Sequence, residues 1–108
     1  MKLYISGPIT GKEDLNRANF EETEDLLLQK GFSPVNPHKL PMDIPSQSWE
    51  NYMRRDLKSL CDCDGIVMLD GWQKSRGAKL EFMLALELGL HIFLSPEEAS
   101  AWGDILNY

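Results

Sequence analysis

One stretch constrains this chain more than any other: Gly65-Ile66-Val67-Met68-Leu69-Asp70-Gly71, continuing through Trp72 and Ser75-Arg76-Gly77-Ala78 to Glu81. It opens as a continuous apolar run, the mark of a strand covered on both faces. Asp70-Gly71 then signals a turn, and a helix is predicted from Arg76 to Leu88. A strand that feeds a loop and then a helix puts that loop at the carboxyl end of the strand, where open α/β sheets bind ligands. Backbone N–H groups around Gly77 and Ala78 suit an anion. Gly77 has no side chain, so a ligand can approach the backbone there.

The predicted helix is unusual. Ala78, Leu80, Phe82, Met83, Leu84, Ala85, Leu86 and Leu88 leave almost no polar face, which predicts a buried helix. Glu81 sits inside this run. A buried carboxylate is costly unless it is paired or used. The alternative is that Glu81 points outward and pairs with Lys79 or another neighbour.

Other elements follow from local signals. Lys2 to Ser6 reads as a first strand, followed by the loop Gly7-Pro8-Ile9-Thr10-Gly11. That loop is neither a P-loop nor a dinucleotide fingerprint, because it lacks the Lys-Ser/Thr pair and the GxGxxG spacing. Helix one is predicted from Asp14 or Asn16, both acceptable caps, to Lys30, with Phe20, Leu27 and Leu28 toward the core. Phe32 to Val35 reads as a second strand. Pro37 to Ser48 is irregular, broken by Pro37, Pro41 and Pro45, and is either a flap over a pocket or a surface loop. Helix two spans Trp49 to Cys61 with an apolar stripe at helical spacing, and Asp56 borders that stripe. A surface pair with Arg55 or Lys58 is the plain account of Asp56. His91 to Leu94 forms the fourth strand, and a last helix opens at Pro96 with Ala99, Trp102, Ile105 and Leu106 inward.

Strands alternating with helices imply a parallel sheet with right-handed crossovers. The fold class is therefore α/β: a three-layer α/β/α sandwich of about four strands, in the flavodoxin-like or Rossmann-like order 2-1-3-4. The order would reverse between strands one and three, so the loops carrying Gly7–Gly11 and Asp70–Gly77 would meet. Residues 1–108 are read as one domain.

Composition narrows the partners. A net charge of −6 argues against a nucleic-acid polymer, which calls for basic patches, but leaves room for a single nucleotide. No apolar run reaches the length of a membrane span and no secretory pattern opens the sequence, so a cytoplasmic location is expected. Cys61 and Cys63 are too close to staple a fold and make no CxxC pair. His38 and His91 are isolated, and no metal or cofactor is expected.

Taken together, Tyr4-Ile5-Ser6-Gly7-Pro8-Ile9, Asn16, Phe20, Arg55-Asp56-Leu57, Cys63-Asp64, Ser75-x-Gly77-Ala78 and Glu81 resemble the nucleoside 2-deoxyribosyltransferase-like superfamily. A small branch similar to the 2′-deoxynucleoside 5′-phosphate N-hydrolases is nearest. The resemblance implies cleavage of an N-glycosidic bond with retention, through a glycosyl ester on a glutamate. It places the nucleophile on Glu81 and an acid near the leaving base on Asp56. Tyr4, on strand one, is read as the hydroxyl that orients this nucleophile, with core packing as the alternative. The resemblance also puts Gly7, Pro8, Ile9, Asp64, Asp70, Ser75, Gly77 and Ala78 around the substrate. Transferases of free nucleosides usually carry Asp where this chain has Ser75, and the monophosphate hydrolases carry Ser. A carboxylate repels a phosphate, whereas a hydroxyl can donate to it. Ser75 also suits the N-cap of helix three. The loop after strand one lacks a basic residue that some monophosphate hydrolases use, with Lys12 and Arg76 as substitutes.

Two other readings compete with the enzyme. One is a module of the same fold that binds a nucleotide without turning it over. The other is a Mg²⁺-dependent phosphate-handling domain using Asp64 and Asp70, which is weakened because those residues flank the strand at opposite ends. A homo-oligomer, a dimer or larger, is expected, with Trp49, Trp72, Trp102 and Tyr108 as contact candidates.

Overall fold

The computed structural model describes residues 1–42 and 48–107. Strands β1 (Lys2–Ser6), β2 (Ser33–Val35), β3 (Gly65–Met68) and β4 (His91–Phe93) form one parallel sheet in the order β2-β1-β3-β4. This is the flavodoxin-like 2-1-3-4 order expected for the sheet. Helices α1 (Arg17–Gln29), α2 (Trp49–Cys61), α3 (Arg76–Glu87) and α4 (Pro96–Leu106) cover its two faces.

Successive side chains on a strand point to opposite faces. Leu3 and Ile5 therefore meet Phe20 and Leu27 of α1 and Ala99 of α4, together with Val67, Leu69 and Phe93. Tyr4 points the other way, into a second core with Leu60 of α2, Ala78 and Ala85 of α3, and Ile66 and Met68. The result is the three-layer α/β/α arrangement. Gly65 lets β3 sit between its neighbours: a Cβ there would lie 2.8 Å from the His91 carbonyl oxygen and 2.9 Å from Leu3 Cδ2. Gly103 does the same for α4 on α1, where a Cβ would lie 2.8 Å from that of Lys30.

Several local expectations change. Helix α1 starts at Arg17, and neither Asp14 nor Asn16 caps it with a side chain. Instead Asp14, Leu15 and Asn16 hold left-handed backbone at φ 46°, 54° and 62°. The Asn16 amide donates across to the Pro8 carbonyl at 2.9 Å, tying this turn to the loop after β1. Helix α3 is not buried all round: Leu80, Met83, Leu86 and Leu88 are exposed, and Ala78, Glu81 and Ala85 form its buried residues. A helix that lies on one face of a sheet can bury only one stripe, whatever its composition. For the same reason Leu28, Trp102, Ile105 and Leu106 are exposed rather than inside, while Ala99 is buried. The segment after β2 begins with a short 3-10 turn, Pro37–Lys39, with proline at its first position. Pro45 and Tyr108 lie outside the described residues. Among the described residues no helix is long and apolar enough to cross a membrane.

Candidate active site

The site is built where the two-residue period of β1 meets the underside of α3. Tyr4 and Ser6, both fully buried, point to the same face of the sheet. Ser75 caps α3: its Oγ accepts from the Ala78 N–H at 3.2 Å. That starting point brings Glu81 down onto the sheet between the two hydroxyls. The Tyr4 hydroxyl donates to Glu81 Oε2 at 2.6 Å, and the Ser6 hydroxyl donates to Oε1 at 2.7 Å. Glu81 thus faces inward and is not spent on Lys79.

The second carboxylate comes from α2. Asp56 is buried, and Arg55 grips its Oδ1 from Nε at 2.9 Å and Nη2 at 2.8 Å. The same guanidinium donates to the carbonyls of Leu40 at 3.2 Å and Pro37 at 3.0 Å. Arg55 therefore fixes Asp56 and the segment after β2 to each other. The surface pairing predicted for Asp56 exists, but in a buried setting that turns the carboxyl toward the site.

Electrostatics follow from this burial. Desolvation pushes Glu81 up to about 8, against the pull of the Tyr4 and Ser6 hydrogen bonds. Desolvation also raises Asp56, while the charge and hydrogen bonds of Arg55 and the Tyr4 hydroxyl pull it down. Tyr4 is held well above its usual value by burial first and by the charges of Glu81 and Asp56 second. Two carboxyls that resist ionisation beside each other can divide their roles, one attacking as an anion and one donating a proton.

Among the described residues, a cavity of about 1220 Å³ opens at the carboxyl ends of β1 and β3. Glu81, Asp56, Gly7, Pro8, Ile9, Asp70, Ser75, Gly77 and Ala78 all line it, and Tyr4 lies beneath, on Glu81. The two loops expected to meet at the reversal of strand order do meet there. Asp64 does not belong. It precedes β3, at the opposite edge of the sheet, and its carboxylate accepts from the Lys2 backbone N–H at 2.7 Å. Asp64 and Asp70 thus flank β3 and cannot share one ion. Among the described residues no group of three or more His, Cys, Asp or Glu could hold a metal.

The amide cradle is also narrower than predicted, because the Ala78 N–H is already taken by Ser75. The Ser75 hydroxyl keeps its own proton for a ligand. Lys12, Arg17, Lys74 and Arg76 supply cations around the same cavity. Arg76 stacks over the Trp49 ring at 3.7 Å, so Trp49 belongs to the wall of the cavity rather than to a core stripe. Trp72 packs on Phe82, and Trp102 packs against Phe93 and His91.

Sequence reasoning missed Ser6, Arg55, Arg17 and His38 as site residues. Ser6 was readable from its spacing of two from Tyr4 on one strand. His38 reaches the cavity wall, packed edge-on against Phe20 at 4.8 Å. Its buried Nε2 has no partner among the described residues, and burial lowers its pKa. No local signal in the sequence marked it.

Comparison with known proteins adds a family and a fold. A family profile described as "Domain of unknown function (DUF4406)" matches residues 1–94. No curated protein matches the chain. Among solved structures the chain is similar to one described as "2-desoxiribosyltransferase from Leishmania mexicana", with a TM-score of 0.64 and 21% identity. The match covers 84% of this chain and 61% of that one, so the chain spans about three fifths of the length of that protein. The fold is thus nucleoside 2-deoxyribosyltransferase-like.

Proposed function

We propose that this chain, which belongs to the DUF4406 family, cleaves the N-glycosidic bond of a 2′-deoxynucleoside 5′-monophosphate as one domain acting on cytoplasmic nucleotides. The observation that carries this reading is the buried Glu81 carboxylate, held by two hydroxyls at the edge of a cavity that Asp56 also lines. Glu81 attacks C1′, and the C1′–N bond breaks with its electron pair going to the base. Asp56 supplies the proton that the base carries away. The glycosyl ester left on Glu81 is then opened by water or by a second base. The transition state is oxocarbenium-like, so an anion beneath the sugar also stabilises it electrostatically. The 5′-phosphate falls to Ser75 and Gly77, with the rim cations Lys12, Arg17, Lys74 and Arg76 around them.

The test is incubation with each deoxynucleoside and its 5′-monophosphate, with and without a second base, followed by chromatography for free base. Base release is expected, with kcat/KM favouring the monophosphate by roughly 10–100-fold, the worth of one or two charge-assisted hydrogen bonds. A preference for the unphosphorylated substrate would reject the phosphate assignment. Exchange of bases without net loss of nucleotide would identify a transferase.

One observation favours a second reading. With its carboxyl pushed up to about 8, Glu81 is largely protonated at neutral pH until something in the cavity charges it. A module that only binds a nucleotide would keep it so. Free base from no substrate, together with measurable nucleotide binding, would select that reading.

We also propose a homo-oligomer whose contact uses the exposed stripe of α3, Leu80, Met83, Leu86 and Leu88, in place of the tryptophans. A neighbour there would cover large apolar side chains that a single chain leaves in water. Light scattering at micromolar concentration should return a multiple of the monomer mass. A monomer with full activity would reject the contact.

A further inference from the structure

We propose that Ser6 is a positioning residue for Glu81: its hydroxyl fixes the oxygen that Tyr4 leaves free and favours the charged, attacking form of the carboxylate over the protonated one. The inference deepens the glycosidic reading, and its kinetic arm rests on it.

Ser6 occupies the last position of β1, opposite Met68 in the sheet register, and is fully buried. Its neighbours along the strand, Leu3, Tyr4 and Ile5, are also fully buried, and β3 beside it reads Gly-Ile-Val-Met. A hydroxyl in such a row is destabilising unless it is hydrogen-bonded. Its donor goes to Glu81 Oε1 at 2.7 Å. Tyr4, two residues earlier, holds Oε2 at 2.6 Å. Each carboxylate oxygen therefore has its own donor, and the plane of the carboxylate cannot turn without breaking one of them.

The two donors are not equivalent. Ser6 directly precedes Gly7, which lines the cavity, whereas Tyr4 lies one pleat deeper in the strand. Ser6 is therefore the donor next to the loop that lines the cavity, and Oε1 is the oxygen it holds. A serine hydroxyl there suits an oxygen that must carry charge, form a bond to C1′ and regain its charge when the ester opens. It is a weaker acid than a phenol, so it steadies the anion without taking over its nucleophilic lone pair.

A serine present only to fill space would leave the charge state of Glu81 untouched, and this separates the two cases. The Glu81 carboxyl is followed by ¹³C NMR titration in unliganded wild type, Ser6→Ala and Ser6→Cys, with the signal assigned by its loss in Glu81→Gln. Removing a hydrogen bond to the anion should raise the titration midpoint by about one to two pH units in both variants. Ser6→Cys keeps the volume and weakens the donor, so an equal rise there excludes repacking as the cause. With substrate, kcat should fall about 10–100-fold at neutral pH, by the same conversion, with KM nearly unchanged and partial recovery toward high pH. An unchanged midpoint in both variants would overturn the assignment of Ser6. The titration needs no substrate, so a protein that releases no base would reject the glycosidic reading and still leave Ser6 judged by its own measurement.

Discussion

Glu81→Gln should lower base release to background, a loss on the order of 10³-fold or more, while the protein stays folded. The amide keeps the shape of the side chain and can still accept from one hydroxyl, so packing beneath α3 survives. The nucleophile does not. The pH dependence gives this prediction a second readout. Glu81 is pushed from an ordinary 4.5 up to about 8 in the folded protein. Between those values the native state holds a proton that the unfolded chain has released. The stability contributed by this group is therefore complete below pH 4.5 and is lost as pH rises toward 8, by up to about 1.4 kcal/mol per pH unit. Glu81→Gln has no such proton to lose. Its thermal midpoint should gain on that of wild type as pH rises from 5 to 8. Wild-type activity should rise over the same interval, because attack requires the anion. Wild-type rates in Glu81→Gln would remove the residue from the mechanism.

Asp56→Asn should slow the release of unactivated bases by ~10²–10⁴-fold, the usual contribution of a general acid. The size of the loss should track the leaving group. A base that departs readily as an anion needs no proton and should be affected little, while a poor leaving group should bear the whole penalty. The structure adds a condition. Asp56 shares Arg55 with the carbonyls of Pro37 and Leu40, so disturbance of that clamp would weaken all substrates alike. Measuring kcat/KM for one activated and one ordinary substrate separates proton donation from positioning, and equal losses would assign Asp56 to positioning alone.

The architecture was legible because its signals are periodic. A continuous apolar strand, three other strands and four helices in strict alternation imply a parallel sheet covered on both faces, and the flavodoxin-like member of that class has the order 2-1-3-4. Glu81 was legible because a carboxylate inside an apolar run conflicts with its surroundings. Its two donors were harder to read, because a tyrosine and a serine in a strand are unremarkable until the helix above them is placed. Asp64 was misplaced because the resemblance put it around the substrate, although its position before the third strand already set it at the end of the sheet opposite Asp70. The burial of α3 was overestimated for a related reason. Composition counts apolar residues, while a sheet can cover one side of a helix only. His38 and the left-handed turn at Asp14–Asn16 depend on contacts between segments far apart in sequence, which no local pattern encodes.

The alternation along β1 has a consequence for how this protein can change. The side facing α1 and α4 holds Leu3, Ile5, Phe20, Leu27, Val67 and Phe93. Exchanges there that conserve volume typically cost less than ~1.5 kcal/mol and alter nothing but packing. On the other side, Tyr4 and Ser6 each hold one oxygen of the Glu81 carboxylate, and loss of either hydroxyl is expected to shift its charge state. One side of this five-residue strand carries packing alone, while the other carries packing and the Glu81 site together, so selection can repack the first for heat tolerance without touching the site.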